Sequence, residues 1–149
     1  MMNNHSKRLG LALVFAALLA SACGGGSGEG AATNKADWEE KHGSAVKVVS
    51  DDIDRSVQAL NAGQRPVVLS ECTQLKDDLD DAKKAVPVPD ATVDAALRSA
   101  LAATETAMNT CVEGGRVASN ADLVEKAQAE MKTAREAYSA AQDAIGAWN

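Results

Sequence analysis

CTQLKDDLDDAKKAVPVPDATVDAALRSALAATETAMNTC, residues 72–111, decides the fold. It begins and ends on cysteine and is broken once, at Pro87-Val88-Pro89. Ahead of the break, Val68, Cys72, Leu75, Leu79, Ala82 and Val86 recur at steps of 4, 3, 4, 3 and 4. That spacing places them on one stripe of an α-helix. Each proline biases its predecessor away from helix, so the first helix ends there. Asp90 is a natural N-cap for the next. Val93, Leu97, Leu101, Thr104, Met108 and Cys111 then line a second stripe. Two amphipathic helices joined by a short connector must bury their stripes against each other.

Working outward, the same periodicity predicts a helix on either side. One opens at Thr33 or Asn34 and runs to Ala62, before Gly63, with Trp38, Ala45, Val46, Val49, Ile53, Val57 and Leu60 on its apolar positions. Gly43 interrupts it and predicts a kink or a later start at Ser44. The helix holding Cys72 begins near Pro66, which suits a first turn. Gly114-Gly115 predicts the stop of the helix holding Cys111. Ser119 and Asp122 resemble a capping box for the last helix. Leu123, Ala127, Met131, Ala134, Tyr138, Ala141, Ile145 and Trp148 form its stripe. The expected fold is all-α: an antiparallel up-down-up-down four-helix bundle over residues 34–149, with one inter-helix disulfide. Trp38 and Trp148 are expected to share a core layer at one end. Alanines on the stripes imply a thin core with little room for an internal cofactor.

The first thirty residues carry a different signal. Lys7 and Arg8 precede an unbroken apolar run, Leu9 to Ala20, followed by small Ser21 and Ala22. That is the order of a secretory signal peptide. The run spans about 18 Å as a helix, short of the roughly 20 residues a membrane-spanning helix needs. Ala20-Ser21-Ala22-Cys23, preceded by Leu18-Leu19, resembles the lipobox of bacterial lipoproteins. The resemblance implies that Cys23 receives a diacylglyceryl group and becomes the first residue after cleavage. It also implies residues 1–22 as signal peptide and 23–33 as lipidated cysteine and flexible linker. An ordinary signal peptide cut after Ala22, with Cys23 a free thiol, is the competing reading. Gly24 to Ala32 has nothing to bury and reads as a tether of about 15–18 Å root-mean-square length. The location implied is the extracytoplasmic side of a cell membrane, with the lipid membrane and an unknown envelope protein as partners.

Export places Cys72 and Cys111 in an oxidising compartment. They are expected to pair, closing a loop worth roughly 4 kcal/mol in the chain-entropy model; two separate buried thiols are the alternative. In a symmetric hairpin the two cysteines miss each other by about 9 Å at helical rise. The Val86–Ala91 segment is expected to absorb the mismatch as an extended spacer. Beyond Cys23, the Ala-, Asp- and Val-rich body, the Pro-Val-Pro-Asp connector and the paired cysteines resemble small helical lipoproteins of high-GC Gram-positive bacteria. That likeness implies no particular activity.

Other functions find little support. Removing Lys7 and Arg8 with the leader leaves 13 basic residues against 21 acids, a net charge of −8, which excludes a phosphate-binding surface and hence nucleic acid. Glu39-Glu40-Lys41-His42 has Glu-x-x-His spacing, but a di-iron bundle needs it on two helices with two further carboxylates. His42 is therefore expected on the solvated surface. Asp51-Asp52 with Asp54, and Asp77-Asp78 with Asp80-Asp81, lie inside helical patterns rather than calcium loops. They are expected to form solvated helix faces, with a charged docking surface as their functional reading. No catalytic residue, metal ligand or cofactor is expected. The expected function is that of a non-enzymatic interaction or accessory module of the cell envelope. The alternative is a small-ligand or cation-binding lipoprotein serving a transporter or sensor.

Overall fold

The structure, a computed structural model, describes residues 34–117 and 121–149. The expected signal peptide 1–22, Cys23, the expected linker 23–33 and Ser119 lie outside the described residues. Among the described residues the fold is all-α, with four long helical segments and no strand.

The first segment is continuous but not uniform. Helix α1 spans Lys35–Trp38, a π-helical turn spans Glu39–Gly43, and α2 spans Ser44–Ala62. Asn34 caps it, its Oδ1 accepting from the Asp37 N–H at 3.0 Å. Gly43 ends a π-helical turn, where the backbone widens but stays helical, and the regular α-helix α2 starts at Ser44 as expected. Gly63, at φ 67°, ends α2 in the left-handed conformation that glycine adopts without penalty. Helix α3 follows as Arg65–Ala82, with Pro66 in its first turn, and tightens into a 3-10 turn at Lys83–Ala85. Helix α4 spans Ala91–Arg116 and α5 spans Ala121–Ala147.

Cross-helix contacts fix the register. Along α2 and α5, Asn61 meets Gln128, Asp54 meets Arg135 and Ser50 meets Gln142. The numbers fall on one helix as they rise on the other, so these two run antiparallel. Along α3 and α4, Cys72 is bonded to Cys111 and Lys83 pairs with Glu105. Arg65 reaches the Arg116 carbonyl at the far end. This pair is antiparallel as well.

The α3–α4 connector behaves as a spacer. Cys72 lies 13 residues before Ala85, while Cys111 lies 20 after Ala91. Helix α4 therefore overreaches α3 by about 10 Å at 1.5 Å per residue. Val86 and Asp90 are extended at the two ends of the connector. Asp90 caps α4, accepting from the Thr92 and Val93 N–H groups at 2.8 and 2.9 Å. Val88 is buried, and its N–H donates to Asp94 Oδ1 at 2.8 Å. The connector is thus tied to the turn it delivers.

The expected stop at Gly114-Gly115 is overturned: α4 passes through both glycines and ends at Arg116. Both are buried. A Cβ on Gly115 would lie 3.2 Å from the Leu69 backbone of α3. The missing side chain serves close helix approach rather than termination. The end of α4 is satisfied from outside, by Arg65 donating to the Gly115 and Arg116 carbonyls. A cation at a helix C-terminus is favoured by the helix dipole.

The core holds Trp38, Tyr138, Ile53, Leu60, Leu75, Leu79, Leu97 and Met131, separated by buried alanines such as Ala100, Ala107, Ala127 and Ala134. Trp38 and Trp148 share one end of the bundle, their rings 5.9 Å apart and tilted. Trp38 Nε1 donates to the Ala85 carbonyl at 2.8 Å, and Lys35 Nζ to the Trp148 carbonyl at 2.8 Å. Trp38 thus ties α1 to the 3-10 turn, and Lys35, with the Trp38–Trp148 ring contact, ties α1 to Trp148.

Candidate functional site

Two acidic runs flank the core differently. On α3, Asp77, Asp80 and Asp81 are exposed, and the latter two pair with Lys83 and Lys84 three residues on. Glu105 lies 2.7 Å from Lys83, and this bond holds the lysine pKa above its ordinary value. This run is a solvated face. On α2 the expectation fails at one residue. Asp51 is exposed and Asp54 pairs with Arg135, but Asp52 is 1% exposed. It stands three residues after Val49 and four before Ser56, which puts it on the inward arc. Arg55 bonds its Oδ1 and reaches on to Glu71 of α3 at 3.3 Å.

His42 also departs from expectation. It is half-buried, its ring centroid 6.2 Å from that of Trp38, its neighbour four residues back along the helix. Its neighbour Glu39 is exposed. Among the described residues, no three His, Cys, Asp or Glu side chains group as metal ligands, and no helix is long and apolar enough to cross a membrane.

Among the recesses of the described surface are three shallow ones. The first, about 320 Å³, lies beside the π-turn at the end where the described chain begins. Trp38, Val46 and Ile145 give it apolar walls, with Glu39, Lys47 and Gln142 on its rim. The second, about 300 Å³, runs between α2 and α3 over Arg55, Ala59 and Glu71. The third, about 420 Å³, lies beside α4 at Met108, Val112 and Arg116. The first combines apolar walls with both signs of charge, the usual composition of a small-molecule site, and π-turns occur often at functional sites.

Cys72 and Cys111 are fully buried and bonded, with Cα atoms 6.0 Å apart. Cys23 lies outside the described residues. The signals that sequence reasoning missed are the buried Asp52, the Arg65 cap and the helical role of Gly115. Known protein families, characterised proteins and solved structures offer no match to this chain.

Proposed function

We propose that this chain is a lipid-anchored extracytoplasmic protein whose helical domain serves as a non-enzymatic interaction or accessory module of the cell envelope. The observation that carries the reading is the passage from the apolar run through Leu18-Leu19-Ala20-Ser21-Ala22 to Cys23 and a glycine tether. The buried Cys72–Cys111 disulfide supports it, since such bonds persist in exported proteins. Two or three acyl chains on Cys23 hold a protein firmly, at about 0.8 kcal/mol per buried CH₂. The acidic body is repelled by anionic headgroups and stands off in solvent, where an envelope protein can dock. Cys23→Ala tests the anchor. It should abolish lipid labelling and release the body from the membrane fraction. A wild-type chain that takes up no lipid label would sink the reading.

The recess beside Trp38 favours a second reading, a small-ligand or cation-binding lipoprotein that serves a transporter or sensor. Metal analysis of the purified protein, with melts in the presence and absence of calcium, separates the two. A stoichiometric metal or a large calcium shift would favour the second.

A further inference from the structure

Helix α2 buries two oxygens with no hydrogen-bond partner among the described protein atoms: Asp52 Oδ2 and Ser56 Oγ. The residues are 1% and 0% exposed. They stand four apart on one helix, so their side chains are stacked neighbours on the same face. Serine and threonine inside a helix commonly satisfy the hydroxyl by donating to the carbonyl four residues back. Thr73, Thr104, Thr106 and Thr133 all do this here. Ser56 does not, so its hydroxyl is free to serve the neighbouring carboxylate turn.

The charge state of the pair narrows what can bind. Arg55 already neutralises Asp52 through Oδ1, so a second cation is disfavoured. An anion would face the carboxylate. What remains is a small neutral molecule able to donate to Oδ2 and to exchange a hydrogen bond with Oγ. Arg55 and Ala59, close to Asp52 and Ser56 on the same helix, line the recess between α2 and α3, which Asp52 and Ser56 themselves do not line. The recess, about 300 Å³, is open to solvent beside them. A buried oxygen left without a hydrogen bond is destabilising, a strong incentive for occupancy. We propose that Asp52 and Ser56 hold a structural water inside the bundle, reached from the α2–α3 recess past Arg55. The water completes the carboxylate's hydrogen bonding and keeps Arg55 directed at Glu71, so a polar cluster fixes the α2–α3 register.

Water–protein cross-relaxation by NMR on the full chain tests this. A long-lived water should contact protons of Asp52 and Ser56, and Ser56→Ala should remove that contact. The same substitution should lower Tm by about 4 °C or more, the scale of one lost hydrogen bond in a domain of this size. The wild-type spectrum decides the matter if the variant fails to fold. No long-lived water at these protons would overturn the proposal. So would a contact that survives Ser56→Ala unchanged, or a Tm that rises on losing the hydroxyl.

Discussion

Along the α3–α4 seam the helices are joined by a buried disulfide, pressed together at Gly115 and tied at the end by Arg65. Along the α2–α5 seam the contacts that cross the rim are exposed: Asn61 to Gln128, Asp54 to Arg135 and Ser50 to Gln142. Exposed pairs of this kind contribute about 0–1 kcal/mol each. The buried Tyr138 lies on α5, whereas the buried polar groups of α2 belong with Arg55 and Glu71 to the packing against α3. One seam is closed by covalent and backbone contact, the other by exposed pairs over ordinary packing. The chain therefore has a rigid half that sets register and a softer half where local opening is easiest.

Reduction is the harshest way to break the contrast. Removing the disulfide should cost roughly 4 kcal/mol in the chain-entropy model. Calorimetry with and without reductant should show a large fall in Tm. An unchanged Tm would show that the α3–α4 seam holds without its crosslink.

Neighbouring glycines offer a finer cut at the same seam. A Cβ on Gly115 meets Leu69 backbone atoms at 3.2 Å, while one on Gly114 meets Leu123 at an ordinary 3.8 Å. Gly115→Ala should therefore force α3 and α4 apart, with a net loss of about 1 kcal/mol after the helix-propensity gain of alanine. Gly114→Ala should not destabilise. Urea unfolding of the two variants side by side gives the answer, and equal midpoints would remove the close approach as a cause.

Most of this architecture was legible in the residues, and the failures have physical causes. The stripes Val68–Ala82 and Val93–Cys111 specify their helices because apolar spacing and packing agree at each step, while Val86, next on the first stripe, already belongs to the extended connector. Pro87 and Pro89 announce the spacer because proline restricts the preceding residue wherever it occurs. Gly114-Gly115 misled because glycine serves termination and close approach equally well, and only the position of Leu69 tells which. Asp52 misled because a charged residue beside others reads as surface, whereas its angular position on the helix belongs to the core. The apolar run before Cys23, by contrast, is a local pattern whose reading needs no tertiary context.

Tyr138 separates the soft seam's packing from its polarity. Its phenol is buried with no hydrogen-bond partner among the described protein atoms, and burial pushes its pKa well above the ordinary value. Unlike Ser56, it has no carboxylate one turn away on its own helix. Tyr138→Phe keeps the ring and removes only the unpaired hydroxyl. Stability should hold or rise, by up to about 1 kcal/mol. A fall in the thermal midpoint would reveal a partner for the hydroxyl and make this seam less soft than its contacts suggest.

The smallest effect belongs to the connector that sets the α3–α4 register. Arg98 Nε, 2.7 Å from Asp94, and the Val88 N–H, at 2.8 Å, hold the Asp94 carboxyl below its usual pKa. A depressed carboxylate adds stability above its unfolded pKa, about 3.9, and loses it as pH falls through the lower folded value. Asp94→Asn keeps an acceptor for Val88 and removes only the charge. It should cost a few tenths of a kcal/mol at pH 6, the scale of a surface pair, and nothing at pH values below the folded pKa. Denaturant midpoints for both proteins across that range should converge on acidification. A constant difference would mean that shape rather than charge holds the connector, and that the rigid seam owes its register to packing alone.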